Sequence, residues 1–219
     1  WCASCQTALA EAEVEYGDHT SPSIYVKFPL NPGVAERLPV LQGKRSFVVI
    51  WTTTPWTLPA NLAIAVHPDA PYVIVESAGE SFIVAKDRLQ DTLAAAGVTE
   101  SRVVEEVPGR ELEGLTARHP WIERPSKVVL ADYVTMDQGT GCVHTAPGHG
   151  VEDYETGLKN GLDIYNPVDA AGRFVADLPL VGGLSVWDAN GKIVAELQHR
   201  GLLLSEAKLS HSYPHCWRC

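Results

Sequence analysis

Residues 46–61 read S-F-V-V-I-W-T-T-T-P-W-T-L-P-A-N. The first half, Ser46 to Thr53, is apolar and β-branched, the composition of a buried strand. It stops at Thr54-Pro55. Pro55 and Pro59 lack an N–H donor, so neither can continue a regular ladder. Thr52, Thr53, Thr54 and Thr57 are therefore expected to keep hydroxyls that no secondary structure uses. Neutral hydroxyls beside free backbone amides suit a phosphate, a ribose or a base edge. A strand end followed by an ordinary turn accounts for the same residues equally well.

The surrounding chain is cut into short pieces by 15 prolines and 18 glycines, which favours strands over long helices. Tyr72 to Glu76 and Ser81 to Ala85 flank Ser77-Ala78-Gly79-Glu80, a hairpin pattern. Lys86 to Ala96 reads as a helix closed by Gly97. Arg102 to Val107, Lys127 to Leu130 and Cys142 to Thr145 read as further strands. Glu152 to Asn160 reads as a helix ending at Gly161. Asp188 to Arg200 carries Ala189, Ile193, Val194 and Leu197 at helical spacing before Gly201. Residues 18–45, rich in Pro, Ser and Gly, are expected to be loop or irregular strand. The class is a β-rich α+β fold, with a barrel-like β core decorated by helices.

A second segment, Gly139 to Tyr154, reads G-T-G-C-V-H-T-A-P-G-H-G-V-E-D-Y. A short strand brings His144 to a loop, and the loop enters a helix carrying Asp153. The glycines are expected to allow a ligand to come close, and the Asp153 carboxylate is expected to hold an ammonium group. Taken singly, Asp153 is as well explained as a helix N-terminal acid, and His144 as a hydrogen-bonded core histidine.

Lys and Arg number 17 against 27 Asp and Glu, a net charge of −10. Nucleic-acid affinity comes largely from basic contacts to phosphate, so the domain should bind RNA poorly by itself, although it could handle a short end delivered to it. No run approaches the roughly 18 apolar residues needed to cross a bilayer, so no membrane is expected. The chain begins Trp1-Cys2-Ala3-Ser4-Cys5 and stops at Cys219 inside an apparent motif, and both ends read as boundaries within a longer polypeptide. Cys2-x-x-Cys5 and Cys216-x-x-Cys219 form a four-thiolate zinc signature if the ends meet. They point to a reducing cytoplasm rather than to disulfides. Four unligated cysteines are the alternative, with His211 and His215 as substitute ligands. Cys142 is expected to pack as a small apolar residue. The proposed division is a zinc-binding base from residues 1–20 and 205–219, and a main domain over 21–204.

The threonine peptide Trp51 to Asn61, the later segment Gly139 to Tyr154, and Ser212-Tyr213-Pro214-His215-Cys216-Trp217-Arg218 together resemble the editing insertion of bacterial isoleucyl-tRNA synthetases. The likeness runs over essentially the whole chain. Valyl and leucyl relatives have a T-T-R-P type peptide where this chain has Thr53-Thr54-Pro55 after an extra Thr52. The signatures of the ATP site (HIGH and KMSKS) are absent, so amino-acid activation is not expected.

The resemblance implies hydrolysis of valine from the 3′ terminal adenosine of tRNA(Ile), sparing isoleucine, with valyl-adenylate left open as a second substrate. A pocket gains only about 1–3 kcal/mol from a methylene, a limit for which the isoleucine enzyme is itself the usual example, so a second sieve is needed. By the same resemblance Asp153, Thr57 and His144 make the catalytic pocket. Asp153 takes the α-ammonium, while Thr57 and His144 wall the side chain. Thr52, Thr53 and Thr54 hold the adenosine, and Asn61 supports the wall. Zinc would be structural, with no catalytic metal. The remainder of a synthetase chain would be the partner, and the domain a monomer. Two other classes stay in play: a metallohydrolase built on His144, His149 and Asp153, and a zinc module that only binds RNA or protein.

Overall fold

The computed structural model describes residues 1–219. It has ten strands, three α-helices and short 3-10 turns. The strands are β1 (Val14–Pro29), β2 (Arg45–Thr52), β3 (Ala63–Val66), β4 (Pro71–Ser77), β5 (Glu80–Ala85), β6 (Arg102–Pro108), β7 (Thr116–Arg118), β8 (Pro125–Leu130), β9 (Cys142–Thr145) and β10 (Leu203–Cys216). The helices are α1 (Leu89–Ala95), α2 (Val151–Lys159) and α3 (Val186–His199).

Six strands form one sheet in the order β10-β1-β2-β5-β4-β6, and four form a second in the order β7-β8-β3-β9. Pairing is mostly antiparallel, with β2 parallel to β5 and β3 parallel to β8. The two sheets pack where β2 meets β9, and Leu30 bridges Ala117. Phe28, Ile50, Ile64, Ile74 and Ile83 fill the space between them, together with Ile193 and Leu197 of α3. The β-rich α+β class holds, but the core consists of two open sheets and no ring of strands closes into a barrel.

The expected strands and helices are all present, with boundaries moved by a few residues. The first turn of the helix expected from Lys86 is 3-10 (Lys86–Arg88) before α1 begins. On α3 the Ser185 hydroxyl accepts from the Asp188 N–H at 3.1 Å and caps the start. Ala189, Ile193, Val194 and Leu197 are buried there, as their spacing required.

Residues 18–45 are strand in their first part and irregular in the rest. Through Pro29 they belong to β1, a strand of 16 residues, and only the stretch beyond it breaks into 3-10 turns at Pro32–Glu36 and Pro39–Leu41. Their Ser- and Pro-rich composition hid this, because the strand is held by partners on both sides rather than by its own propensity. β10 flanks it along most of its length, and β2 flanks Ile24 to Pro29. The Lys27 N–H points at Leu202 O, 2.8 Å away on the β10 side. By strand alternation the missing N–H of Pro22 then faces the opposite edge, which β2 does not reach.

β1 and β10 form a long antiparallel ribbon from Val14↔Cys216 to Val26↔Leu203. It carries both chain ends to one place and, past a register shift at Tyr25/Val26, runs in one register to the cysteines.

Candidate active site

β2 delivers the chain to Thr52, and Pro55 starts a 3-10 turn through Ala60. Two hydroxyls expected to be free are used to shape this corner. Thr52 Oγ1 accepts from the Thr54 N–H at 3.0 Å, and Thr57 Oγ1 donates to the Thr54 carbonyl at 2.9 Å. Such local bonds compete with a regular ladder and turn the chain out of the sheet. The Trp56 N–H is tied to Asn190 Oδ1 of α3 at 3.0 Å, so the helix fixes the outer side of the corner.

Behind it lies a hydrogen-bonded chain of three predicted residues. His144 stands on β9 opposite Ile64 of β3 and is buried. Asn61 Nδ2 donates to the Ala63 carbonyl at 2.8 Å and to His144 Nδ1 at 2.8 Å. Only the amide nitrogen can satisfy that carbonyl, which orients the amide and makes His144 Nδ1 an acceptor. The ring proton is then on Nε2, which donates to Thr57 Oγ1 at 2.9 Å. Burial holds the ring neutral, with its pKa lowered to about 3. Both ring nitrogens are engaged within the protein, so His144 offers no free nitrogen to a metal or to a proton in transfer.

Asp153 sits in the first turn of α2. Its Oδ2 accepts from the Ala146 N–H at 2.9 Å, and its Oδ1 lies 3.5 Å from the Tyr133 hydroxyl. The side chain thus reaches back to the end of β9, two residues beyond His144. No Lys, Arg or His forms an ion pair with it. Burial raises its pKa above the usual carboxylate range, opposed by the Ala146 N–H. A half-buried carboxylate without a cation is costly, and a bound ammonium would relieve that cost.

The glycines of this region make room for protein neighbours. Gly139 and Gly141 both have φ of +72°. A Cβ on Gly141 would lie 2.4 Å from Ala85 Cβ, one on Gly139 3.0 Å from the Trp51 ring, and one on Gly148 2.4 Å from the Tyr165 carbonyl. A side chain at any of these three positions would collide with a protein neighbour, and Gly148 also lines the cleft beyond Trp56. The structure also adds Tyr133 and the Ala146 amide at Asp153, and the Trp56–His149 ring pair with centroids 5.1 Å apart. The only sequence signal for these was proximity to the two motifs. A cleft of about 740 Å³ opens beyond Trp56 and His149, between them and the ribbon with its cysteines.

The two Cys-x-x-Cys pairs meet as the zinc signature required. The four Sγ atoms of Cys2, Cys5, Cys216 and Cys219 all lie within 4.8 Å of one another. Cys2 and Cys219 are 3.4 Å apart, and the Cys5 N–H donates to Cys2 Sγ at 3.3 Å. A tetrahedral ion with bonds of about 2.3 Å to sulfur has S–S edges of about 3.8 Å, so the set fits a four-thiolate metal. His211 is not part of it, since its Nε2 bonds Ser21 Oγ at 2.9 Å. Cys142 is buried in the core as expected, and burial pushes its thiol pKa up.

Two open sheets joined to a terminal ribbon, with a threonine corner set against a histidine strand and an acidic helix start, define an editing domain of an aminoacyl-tRNA synthetase. The chain belongs to the family described as "Leucyl-tRNA synthetase, editing domain", whose model matches residues 32–207. Within it the chain is similar to isoleucine–tRNA ligases: 57% identical to that of Nitratidesulfovibrio vulgaris (strain DP4), with 100% of this chain aligned to 24% of the relative. The figures are 54% and 23% of the relative for Petrotoga mobilis, and 53% and 24% for Geobacter sulfurreducens, again over 100% of this chain. The chain thus spans about a quarter of the curated relatives it matches. Among solved structures, GlLeuRS-CP1 superposes with a TM-score of 0.68 at 18% identity, over 84% of this chain and 98% of that one. The editing domain of the P. knowlesi cytosolic leucyl-tRNA synthetase gives 0.63 at 12% identity, over 87% and 96%. At such identities the agreement is one of fold.

Proposed function

We propose that the chain hydrolyses the ester joining valine to the 3′ terminal adenosine of tRNA(Ile) and spares isoleucine. The observation that carries this reading is Asp153: a half-buried carboxylate, anchored by Ala146 and lacking any cation, beside the strand that bears His144. Such a group selects a free α-ammonium, which an esterified amino acid has and an internal peptide residue lacks. Thr57 and His144 form the wall against the amino-acid side chain, stiffened by Asn61. Thr52, Thr53 and Thr54 receive the adenosine. Thr52 gives shape to the corner, while Thr53 and Thr54 bring hydroxyls not used in the corner's own bonds.

Water attacks the ester carbonyl, the bond to the ribose oxygen breaks, and valine leaves with the tRNA hydroxyl restored. His144 is not the base, since Nε2 carries its proton and Nδ1 is occupied. The ester is already activated, so alignment of water and carbonyl supplies much of the rate. Zinc on Cys2, Cys5, Cys216 and Cys219 is structural and clamps the ribbon, with residues 1–20 and 205–219 as the base and 21–204 as the editing domain. The domain works in the cytoplasm, as one part of a monomeric synthetase. The test is release of valine from valyl-tRNA(Ile) with and without chelator. Hydrolysis that survives chelation supports the reading, hydrolysis abolished by it indicates a metallohydrolase, and no hydrolysis in either case leaves a binding module.

A further inference from the structure

The chain is acidic, yet one face reverses that balance. A groove of about 690 Å³ runs past Arg118, Arg124 and Arg200. It continues, through shared walls at Pro29, Asn31, Arg118 and Leu202, into a second hollow of about 500 Å³ that includes Lys44 and Arg45. Glu123 is the one carboxylate on these walls. Five cations to one acid is the opposite of the 17 to 27 found over the whole chain.

Neither Arg118 nor Arg124 pairs with a carboxylate. Arg200, Lys44 and Arg45 do pair, with Glu196, Glu76 and Glu80, all carboxylates that lie off the groove walls. Two donors at the groove, Trp121 Nε1 and Arg124 Nε, are buried without a protein acceptor. The floor is joined to the threonine corner, because His119 Nε2 donates to the Leu58 carbonyl at 2.8 Å and Arg124 Nη2 to the Pro59 carbonyl at 2.5 Å. A ligand held here would bear on the segment that carries Thr57.

We propose that this groove docks the phosphate backbone of a nucleic acid, which on the function proposed above is the tRNA whose 3′ end enters the site. Arginine forks match phosphate geometry, and Arg118, exposed and free of any carboxylate where the two hollows join, presents such a fork, with Arg124 beside it bonded to the Pro59 carbonyl and packed on the Tyr165 ring. An acidic domain could in this way orient an RNA that its net charge would repel.

The experiment measures binding of uncharged tRNA(Ile) to the 219-residue chain by fluorescence anisotropy over a range of salt. Arg118→Glu is compared with Arg110→Glu, an equal charge change at the exposed residue paired with Asp69. Arg118→Glu is expected to weaken binding about tenfold and to lower the salt slope by about 1, with Arg110→Glu near wild type. Equal weakening by both variants, no RNA binding at low salt, or displacement of RNA by a polyglutamate peptide overturns the proposal. Valyl-tRNA hydrolysis by the wild type is scored separately. Its absence with groove-dependent RNA binding removes the proposed function and leaves the groove. Its presence with groove-independent binding does the reverse.

Discussion

Asn61 Nδ2 lies 2.8 Å from His144 Nδ1, and this contact decides which nitrogen of the buried ring bears the proton. The consequence passes along the chain of bonds. His144 Nε2 donates to Thr57 Oγ1, and Thr57 in turn donates to the Thr54 carbonyl. The wall hydroxyl therefore presents only an acceptor lone pair to a ligand.

Asn61→Ala should release that arrangement. The Ala63 carbonyl and His144 Nδ1 would both lose their donor, at a cost of about 1–3 kcal/mol. Nitrogen-15 shifts of the His144 ring should show a single Nε2–H tautomer in the wild type and a mixture in the variant. A ring that stays wholly Nε2–H after the substitution would show that Asn61 does not set it.

Asp153→Asn keeps the size of the side chain and removes its charge. A charge-assisted bond to an ammonium contributes about 1.5–3 kcal/mol, so valyl-tRNA hydrolysis should fall by roughly ten- to a hundredfold. Because burial disfavours the unpaired carboxylate, the same variant should be no less stable than the wild type. An unchanged hydrolysis rate would remove Asp153 from the site.

Thr57→Ala and His144→Ala open space in the wall, each large enough for a methylene. Either should begin to hydrolyse isoleucyl-tRNA, with modest gains, since a methylene is worth about 1–3 kcal/mol. His144→Ala should also be the less stable, because it strands Asn61 as well as Thr57. If both variants clear valine and still spare isoleucine, the sieve lies elsewhere.

Stability should fall in mild acid. His119 and His144 are buried and neutral, each with a pKa lowered from 6.5 to about 3 by desolvation. Below pH 6.5 the unfolded chain takes up protons that the folded chain refuses, so stability is complete above that pH and is lost as pH falls toward 3. Urea midpoints at pH 7.5, 6, 5 and 4 should decline through this window. A flat profile between pH 7 and 5 would contradict it.

Metal removal should act on one end of the molecule. With a chelator, hydrogen exchange is expected to speed up at the ribbon near Val14–His19 and His211–Cys216, while β2, β4 and β5 stay protected. Elemental analysis should find one zinc per chain before treatment and none after it. Uniform loss of protection across both sheets would mean that the ion holds the whole fold.

Much of the candidate site's local geometry could be read in the sequence because its parts are local. Thr52 to Thr57 share one proline-broken corner, and His144 and Asp153 share one strand-loop-helix unit, so spacing alone placed each group near its neighbours. The roles of the glycines could not be read that way. Gly141 is small for the sake of Ala85, and Gly148 for the Tyr165 carbonyl, and neither neighbour lies close in sequence. β1 was equally opaque, since its Ser-, Pro- and Gly-rich residues are held extended by β10 and β2 and not by their own preference.

The sequence by itself determined six of the ten strands, the four-cysteine signature and the pair of motifs that form the candidate site, because these depend on periodicity, proline chemistry and short spacing. Only the tertiary structure decided that the core is two open sheets, that Asn61 fixes the proton on His144, that Asp153 reaches back to Ala146, and that five cations scattered from Lys44 to Arg200 line one groove. Each of these joins residues far apart in the chain or turns on a side-chain direction, and neither can be read from local pattern.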